Sequence, residues 1–169
     1  GKSTLLSLLS GLLTPSSGKI FINRPTESRP ALGYLTQETE LFQGSIRDNL
    51  EIAAPLATEK MLGAASDAVE RGEKIRALDG QMDWLLGEGG NGFSGGELRR
   101  LALARIALRN PRVWLLDEPT AGMDESLAKK VLANLDRFAP DATWIMAAHH
   151  VREIELADAV IRMDRNKLA

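Results

Sequence analysis

Cysteine is absent from the 169-residue sequence, which excludes disulfides and thiolate metal sites and fits a reducing cytosol. An excess of positive charge is missing too: 21 Lys and Arg face 23 Asp and Glu, for a formal charge of -2. Without a basic footprint, nucleic acid is not expected among the partners. No apolar run approaches the ~18–20 residues of a membrane span, and the start lacks the basic-then-apolar pattern of a signal peptide. There is no initiating methionine either. The sequence opens on Gly1-Lys2-Ser3-Thr4, part-way into its first motif, and is expected to be a piece of a longer chain. What is present suffices for one compact domain, since 44% of the residues are hydrophobic. No internal repeat, low-complexity tract or long linker divides it.

Leu5, Leu6, Leu8, Leu9, Leu12 and Leu13 follow the opening motif at the spacing of a buried helix, with Gly11, Pro15 and Gly18 marking its end. Lys19–Asn23 and Leu32–Thr36 are short β-prone runs separated by Pro25 and Pro30, and Ser45–Leu50 predicts one or two helical turns. Thr58–Arg71 predicts a weakly amphipathic helix with Met61, Leu62, Ala65 and Val69 on its inner side. A glycine-dense loop through Gly87, Gly89, Gly90, Gly92, Gly95 and Gly96 leads to a helix over about Gly96–Leu108. Val113–Leu116 predicts a buried strand closed by Asp117-Glu118-Pro119. Leu127, Val131, Leu132, Leu135 and Phe138 line a helical face, and Thr143–Ala147 and Ala159–Met163 predict strands. Helix and strand alternate as in a layered α/β fold with parallel strands.

Three segments carry chemistry. Gly-Lys-Ser-Thr at a helix start is the second half of a phosphate-binding loop, in which Lys2 reaches the β and γ phosphates and Ser3 coordinates Mg2+. Val113–Glu118 delivers two carboxylates to a strand's C-terminal end, where open α/β sheets bind ligands. There Asp117 suits Mg2+ and Glu118 suits the attacking water of phosphoryl transfer. Phe93-Ser94-Gly95-Gly96-Glu97 fuses a glycine turn to a helix N-terminus, whose unpaired N–H groups favour an anion. Taken singly, each has a plainer reading: an ordinary helix start, an acidic turn after a core strand, and a glycine loop with Ser94 as N-cap.

In order, these segments resemble the landmarks of the ABC ATPases over essentially the whole chain. Ser94-Gly95-Gly96-Glu97 resembles the signature sequence, with Phe93 in place of Leu and Glu97 in place of Gln, and Gly95 lies 22 positions before Asp117. Lys2-Ser3 then corresponds to Walker A, Gln37 to the Q-loop, Asp117-Glu118 to Walker B and Ala121-Gly122-Met123-Asp124 to the D-loop. Of the adjacent His149 and His150, the former is taken as the switch histidine, because it follows the strand directly and precedes Asp158 by nine positions. Leu41-Phe42-Gln43-Gly44-Ser45-Ile46-Arg47-Asp48-Asn49-Leu50 and the loop Leu86–Gly92 are similar to exporter-type cassettes, and with Ala147–His150 they look like heterodimeric bacterial exporters of cysteine and glutathione. The stretch Asn23–Gln37 is shorter than in most exporters, which puts the strand before Gln37 in question.

The resemblance implies an α/β fold, a P-loop NTPase of ABC type with a mostly parallel sheet. It implies a cassette over 1–169, lacking the N-terminal strands and the first half of Walker A, with an α-helical signature subdomain over about 45–110. It implies ATP and Mg2+ as ligands. Gly1, Lys2, Ser3 and Thr4 would bind nucleotide on one subunit, while Ser94, Gly95, Gly96, Glu97 and Asp124 would serve the nucleotide of a second cassette, identical or not, paired head to tail. Ser3, Gln37 and Asp117 would hold the metal, and Glu118, His149 and Gln37 would be catalytic. His149 would contact the γ-phosphate, and Gln37 would move with an exporter's transmembrane domain at the cytoplasmic face of the bacterial inner membrane. A soluble ABC-type ATPase of translation or DNA repair and a non-catalytic regulatory cassette are the alternatives. The absent N-terminal strand would lie between Thr143–Ala147 and Ala159–Met163, so the 169 residues alone are expected to bind ATP poorly and to be marginally stable.

Overall fold

The computed structural model describes residues 1–20, 32–38, 41–87 and 92–163; most of the expected strand Lys19–Asn23 and positions 88–91 of the glycine-dense loop lie outside them. Helix α1 (Lys2–Ser10) forms where the leucine spacing predicts it, but it is not the buried helix expected: Leu6 is its buried residue, Leu5 is exposed, and Leu12 and Leu13 are exposed beyond its end. It stops at Gly11, whose φ of 82° is the left-handed conformation that glycine adopts without a Cβ penalty. Strand β1 (Leu32–Leu35) follows, so the strand before Gln37 is present despite the short stretch leading to it. Next come β2 (Gly44–Ser45), α2 (Ile46–Glu51), α3 (Glu59–Ala68), α4 (Gly72–Arg76), a 3-10 turn at Gln81–Asp83 and β3 (Leu85–Leu86). The chain continues through α5 (Gly95–Arg109), β4 (Val113–Asp117), α6 (Glu125–Phe138), β5 (Thr143–Ala147) and α7 (Val151–Glu155).

Strands β1, β4 and β5 form a parallel sheet with β4 in the middle, Leu32 paired with Val113 and Val113 with Thr143. Parallel neighbours require crossovers, which α2–α5 and α6 supply. Side chains alternate across a strand, and on β4 this splits the core in two. Leu115 and Val113 pack with Leu6 of α1, whereas Trp114 and Leu116 join the larger cluster that holds Leu101, Ala104, Val131 and Leu135 of α5 and α6. Trp114 stacks on Trp144 with centroids 5.5 Å apart, and its indole N–H donates to Pro111 O at 2.9 Å, so the buried ring leaves no polar group unmet.

The run Leu41–Leu50 folds by local hydrogen bonds. Ser45 and Asp48 form a reciprocal capping box at the start of α2. Buried Asn49 holds the Phe42 main chain from both sides, accepting its N–H and donating to its carbonyl, each at 2.8 Å. Gly44–Ser45 pairs antiparallel with Leu85–Leu86, a two-stranded ribbon that composition alone did not suggest.

Two further expectations are corrected. Ala159–Met163 is not a strand, and Val160 and Ile161 are exposed. β-Prone residues need a neighbouring edge to bond with, and among the described residues β5 pairs only with β4. Met61 is exposed while Leu62, Ala65 and Val69 are buried, because the inner stripe of α3 runs one position beside it. Among the described residues, no helix is long and apolar enough to cross a membrane.

Candidate functional site

Parallel strands all end at one edge, and that edge collects several of the expected residues. β1 leads to Gln37, β4 ends on Asp117 and passes to Glu118, and β5 leads through Ala148 to His149. The start of α1 belongs to the same edge, since Lys2 Nζ donates to Ala148 O at 3.0 Å. The helix is held there by Leu6 in the core and by a 3.0 Å hydrogen bond between the Ser7 and Tyr34 hydroxyls.

Glu118 has a φ of 49°, a left-handed conformation that costs a non-glycine residue about 1–3 kcal/mol unless its surroundings enforce it. They do: its N–H donates to Ala147 O at 3.2 Å, and its carbonyl accepts from Arg99 Nε at 2.6 Å. With the main chain so held, Glu118 Oε1 meets His149 Nε2 at 3.1 Å. The two side chains are 26% and 52% exposed, so the pair opens to solvent where a ligand can reach it.

Asp117 is buried, and its Oδ2 has no hydrogen-bond partner among the described residues. A buried carboxylate oxygen without a donor is costly, and a cation resolves it. No group of three or more His, Cys, Asp or Glu that could hold a metal occurs among the described residues. The single orphaned oxygen of Asp117 would suit an ion that takes few protein ligands and completes its shell from phosphate oxygens and water, the habit of Mg2+.

Arg99 escaped the sequence reasoning. From α5 it donates to the carbonyl of Gln37 at 3.0 Å, to that of Glu118 and to that of Asp117, tying the ends of β1 and β4 together. Burial pushes its guanidinium pKa down, while the charges of Glu118, Asp117 and Glu153 oppose that shift. In the sequence it is one of two adjacent arginines on a helix, which resembles solvated charge; the only signal is its position on the face that packs against the sheet.

The start of α5 is a second centre. Ser94 is exposed and caps the helix: its hydroxyl accepts the Glu97 N–H at 3.3 Å, and Glu97 Oε2 accepts the Ser94 N–H at 2.7 Å. Glu97 Oε1 takes Arg71 Nη1 at 2.7 Å and also Lys74 Nζ. Both cations lie over the Phe93 ring, at 4.5 and 5.6 Å from its centroid. Burial raises the Glu97 pKa, but the Lys74 and Ser94 hydrogen bonds and the Arg71 and Lys74 charges outweigh it and hold the carboxyl at about 2. Gly96 touches the turn before α6 so closely that a Cβ would lie 2.3 Å from Gly122 O; a Cβ on Gly95 would meet nothing within 4 Å among the described residues. In that turn Asp124 caps α6 by accepting the Leu127 N–H at 2.9 Å.

Glu118 and His149 thus meet directly at one edge, where Lys2 bonds the carbonyl of Ala148 beside His149, with Asp117 adjoining and Gln37 tied in through Arg99. Gly1, Ser3 and Thr4 open α1 at that edge; Gly1 and Thr4 are exposed and Ser3 is half-buried. Ser94, Gly95, Gly96, Glu97 and Asp124 stand apart from these contacts and meet one another through Gly96 and Gly122.

Residues 1–121 match the family model described as ABC transporter. The glutathione/L-cysteine transport system ATP-binding/permease protein CydC of Escherichia coli strain K12 is 36% identical over 99% of this chain and 30% of its own length. The beta-(1-->2)glucan export ATP-binding/permease protein NdvA of Brucella abortus biovar 1 strain 9-941 is 33% identical over 99% of this chain and 29% of its own. The chain therefore spans less than a third of the length of these relatives. A bacterial Atm1-family ABC exporter solved with ATP bound superposes with a TM-score of 0.71 and 31% identity, over 76% of this chain and 22% of that one.

Proposed function

This chain belongs to the ABC transporter family and is an ATP-binding cassette of exporter type, and from this we propose that it hydrolyses ATP between two cassettes to drive export through a transmembrane domain. The 3.1 Å contact of Glu118 with His149, at the edge where Lys2 also lies, is the observation that carries this reading. Lys2 leaves the Ala148 carbonyl to meet phosphate oxygens, and the N–H groups at the start of α1, from Gly1 to Thr4, complete an anion cradle. Ser3, Gln37 and Asp117 would hold Mg2+, which would supply positive charge against that developing on the phosphates. Glu118 Oε1 orients the attacking water and accepts its proton, and His149 Nε2 steadies the γ-phosphate and the water.

A second cassette, placed head to tail, brings Ser94, Gly95, Gly96, Glu97 and Asp124 to the nucleotide. Ser94 is exposed and the space beside Gly95 is open, which is the state such a surface needs before its partner arrives. The transmembrane domain would hold the cassette at the cytoplasmic face of a bacterial inner membrane. A soluble ATPase of translation or DNA repair is disfavoured because the relatives are named as permeases and exporters. A regulatory cassette is disfavoured because Asp117, Glu118 and His149 are all in place. Relatives named for cargoes as different as glutathione and a glucan match the chain nearly equally, so the proposal covers the ATP-driven step and not the cargo.

Two alanine variants in the full-length protein separate the fold from the pairing. Gly96→Ala drives a Cβ into the Gly122 carbonyl and should cost about 1–3 kcal/mol of stability, seen as a lower melting temperature. Gly95→Ala meets no atom among the described residues, so it should melt normally yet lose most ATP hydrolysis, because the obstruction arises only against a partner's nucleotide. Normal hydrolysis by Gly95→Ala would count against the two-cassette site.

A further inference from the structure

Glu153, in α7, is 0% exposed, although it lies one turn beyond the exposed His149. Burying a carboxylate is expensive unless both oxygens find donors, and an apolar side chain would fill the space at less cost. Glu153 finds its donors on two different segments. Oε2 accepts the main-chain N–H of His149 at 2.9 Å and that of His150 at 3.2 Å. Oε1 accepts the Thr120 hydroxyl at 2.5 Å and the Thr120 N–H at 3.4 Å. Thr120 stands two residues after Glu118, so the carboxylate bridges the two turns whose side chains meet as Glu118 and His149.

Arg152 extends the bridge. Its guanidinium donates to the Thr120 hydroxyl at 3.1 Å and carbonyl at 3.3 Å, and at 2.8 Å to Glu125, the residue after Asp124. Burial alone would raise the Glu153 pKa, yet the Thr120 hydroxyl and the His149, His150 and Thr120 N–H groups hold it below the usual carboxylate value. It is therefore an ion that accepts from both turns at once. The His149 imidazole, half exposed, has little packing of its own to fix it, so its place on Glu118 depends on how its main chain is anchored.

We infer that Glu153 is a positioning residue for hydrolysis: by bonding the His149 turn to Thr120, it keeps the His149 imidazole on the Glu118 carboxylate. This rests on the reading of Glu118 and His149 as the hydrolytic pair.

The test is steady-state ATP hydrolysis by the full-length protein, with melting temperature recorded for each variant. Glu153→Gln keeps the shape but replaces one acceptor oxygen with a donor, and Thr120→Val keeps the branched shape but exchanges the hydroxyl for a methyl. Each should lower kcat about ten- to hundredfold, the scale of a misplacement near 1 Å, with KM for ATP within twofold of the parent. The double variant should be no slower than the slower single one, and Thr120→Ser should restore kcat. Parental kcat in Glu153→Gln or Thr120→Val, additive losses in the double variant, or a loss seen only in melting temperature would each overturn the inference. If Glu153→Gln fails to fold, Thr120→Val decides. His149→Ala, assayed alongside, separates the two levels: if it hydrolyses normally, the underlying pair is wrong, whereas its failure beside an active Glu153→Gln removes only the positioning role.

Discussion

Glu118→Gln in the full-length protein is expected to lower ATP turnover by about 10²–10⁴-fold, the usual contribution of a positioned base, while ATP still binds. The amide keeps the volume and can hold the His149 contact as a neutral hydrogen bond, but it cannot take a proton from water. Main-chain bonds that hold the strained φ of Glu118, to Ala147 O and from Arg99, do not involve the side chain, so the turn should survive. Binding should even be prolonged, because the bound triphosphate is no longer consumed. Combining the change with His149→Ala should add little, as expected for groups that act as a unit. Turnover within threefold of the parent would show that Glu118 is not the base.

The second large effect concerns stability. Glu97→Ala should destabilise the cassette by about 3–5 kcal/mol, the cost of leaving a buried charge without its counterion. Arg71 is 1% exposed, and its Nε and Nη2 already lack hydrogen-bond partners among the described residues; Glu97 is its ionic partner. The melting temperature should fall by roughly 10 °C. Glu97→Gln, whose single acceptor oxygen can keep the cap on Ser94 but not also the hydrogen bonds from Arg71 and Lys74, should likewise melt below the parent.

The pH dependence has a definite sign. A carboxyl held at about 2 against an ordinary 4.5 stabilises the fold fully above 4.5, and that contribution is lost as pH falls through the window from 4.5 to 2. The parent protein should therefore lose more stability across that window than Glu97→Ala does. Equal acid sensitivity in both would contradict the assignment. Arg71 and Lys74 also matter for the proposed pairing, since they neutralise a carboxylate in the first turn of the helix that is to receive a partner's triphosphate.

Much of the edge was legible because its residues carry local signals. Lys2 follows a glycine at a helix start, Asp117 and Glu118 close an apolar strand, and His149 follows another. α1, α5, α6, β4 and β5 were legible for the same reason, since leucine spacing, a glycine C-cap and an S-x-x-E box are short-range patterns. The supports of the site were not. Arg71 pairs with a residue 26 positions away, Arg99 reaches carbonyls 18, 19 and 62 positions away, and Glu153 reaches Thr120 across 33. Charged residues on helices ordinarily face solvent, so nothing local marks these as buried. Ala159–Met163 shows the converse failure, in which β-prone composition is present and the neighbour it must bond to is not among the described residues.

The absence of cysteine from these 169 residues makes one measurement direct. With one thiol placed at Leu5 and another at Leu98, each beside but outside the proposed nucleotide contacts, and no other cysteine in the full-length protein, a bifunctional crosslinker should join two cassettes in the presence of ATP and leave them separate without it. Crosslinks that form only within a single cassette, or that form between cassettes regardless of nucleotide, would contradict a site shared head to tail.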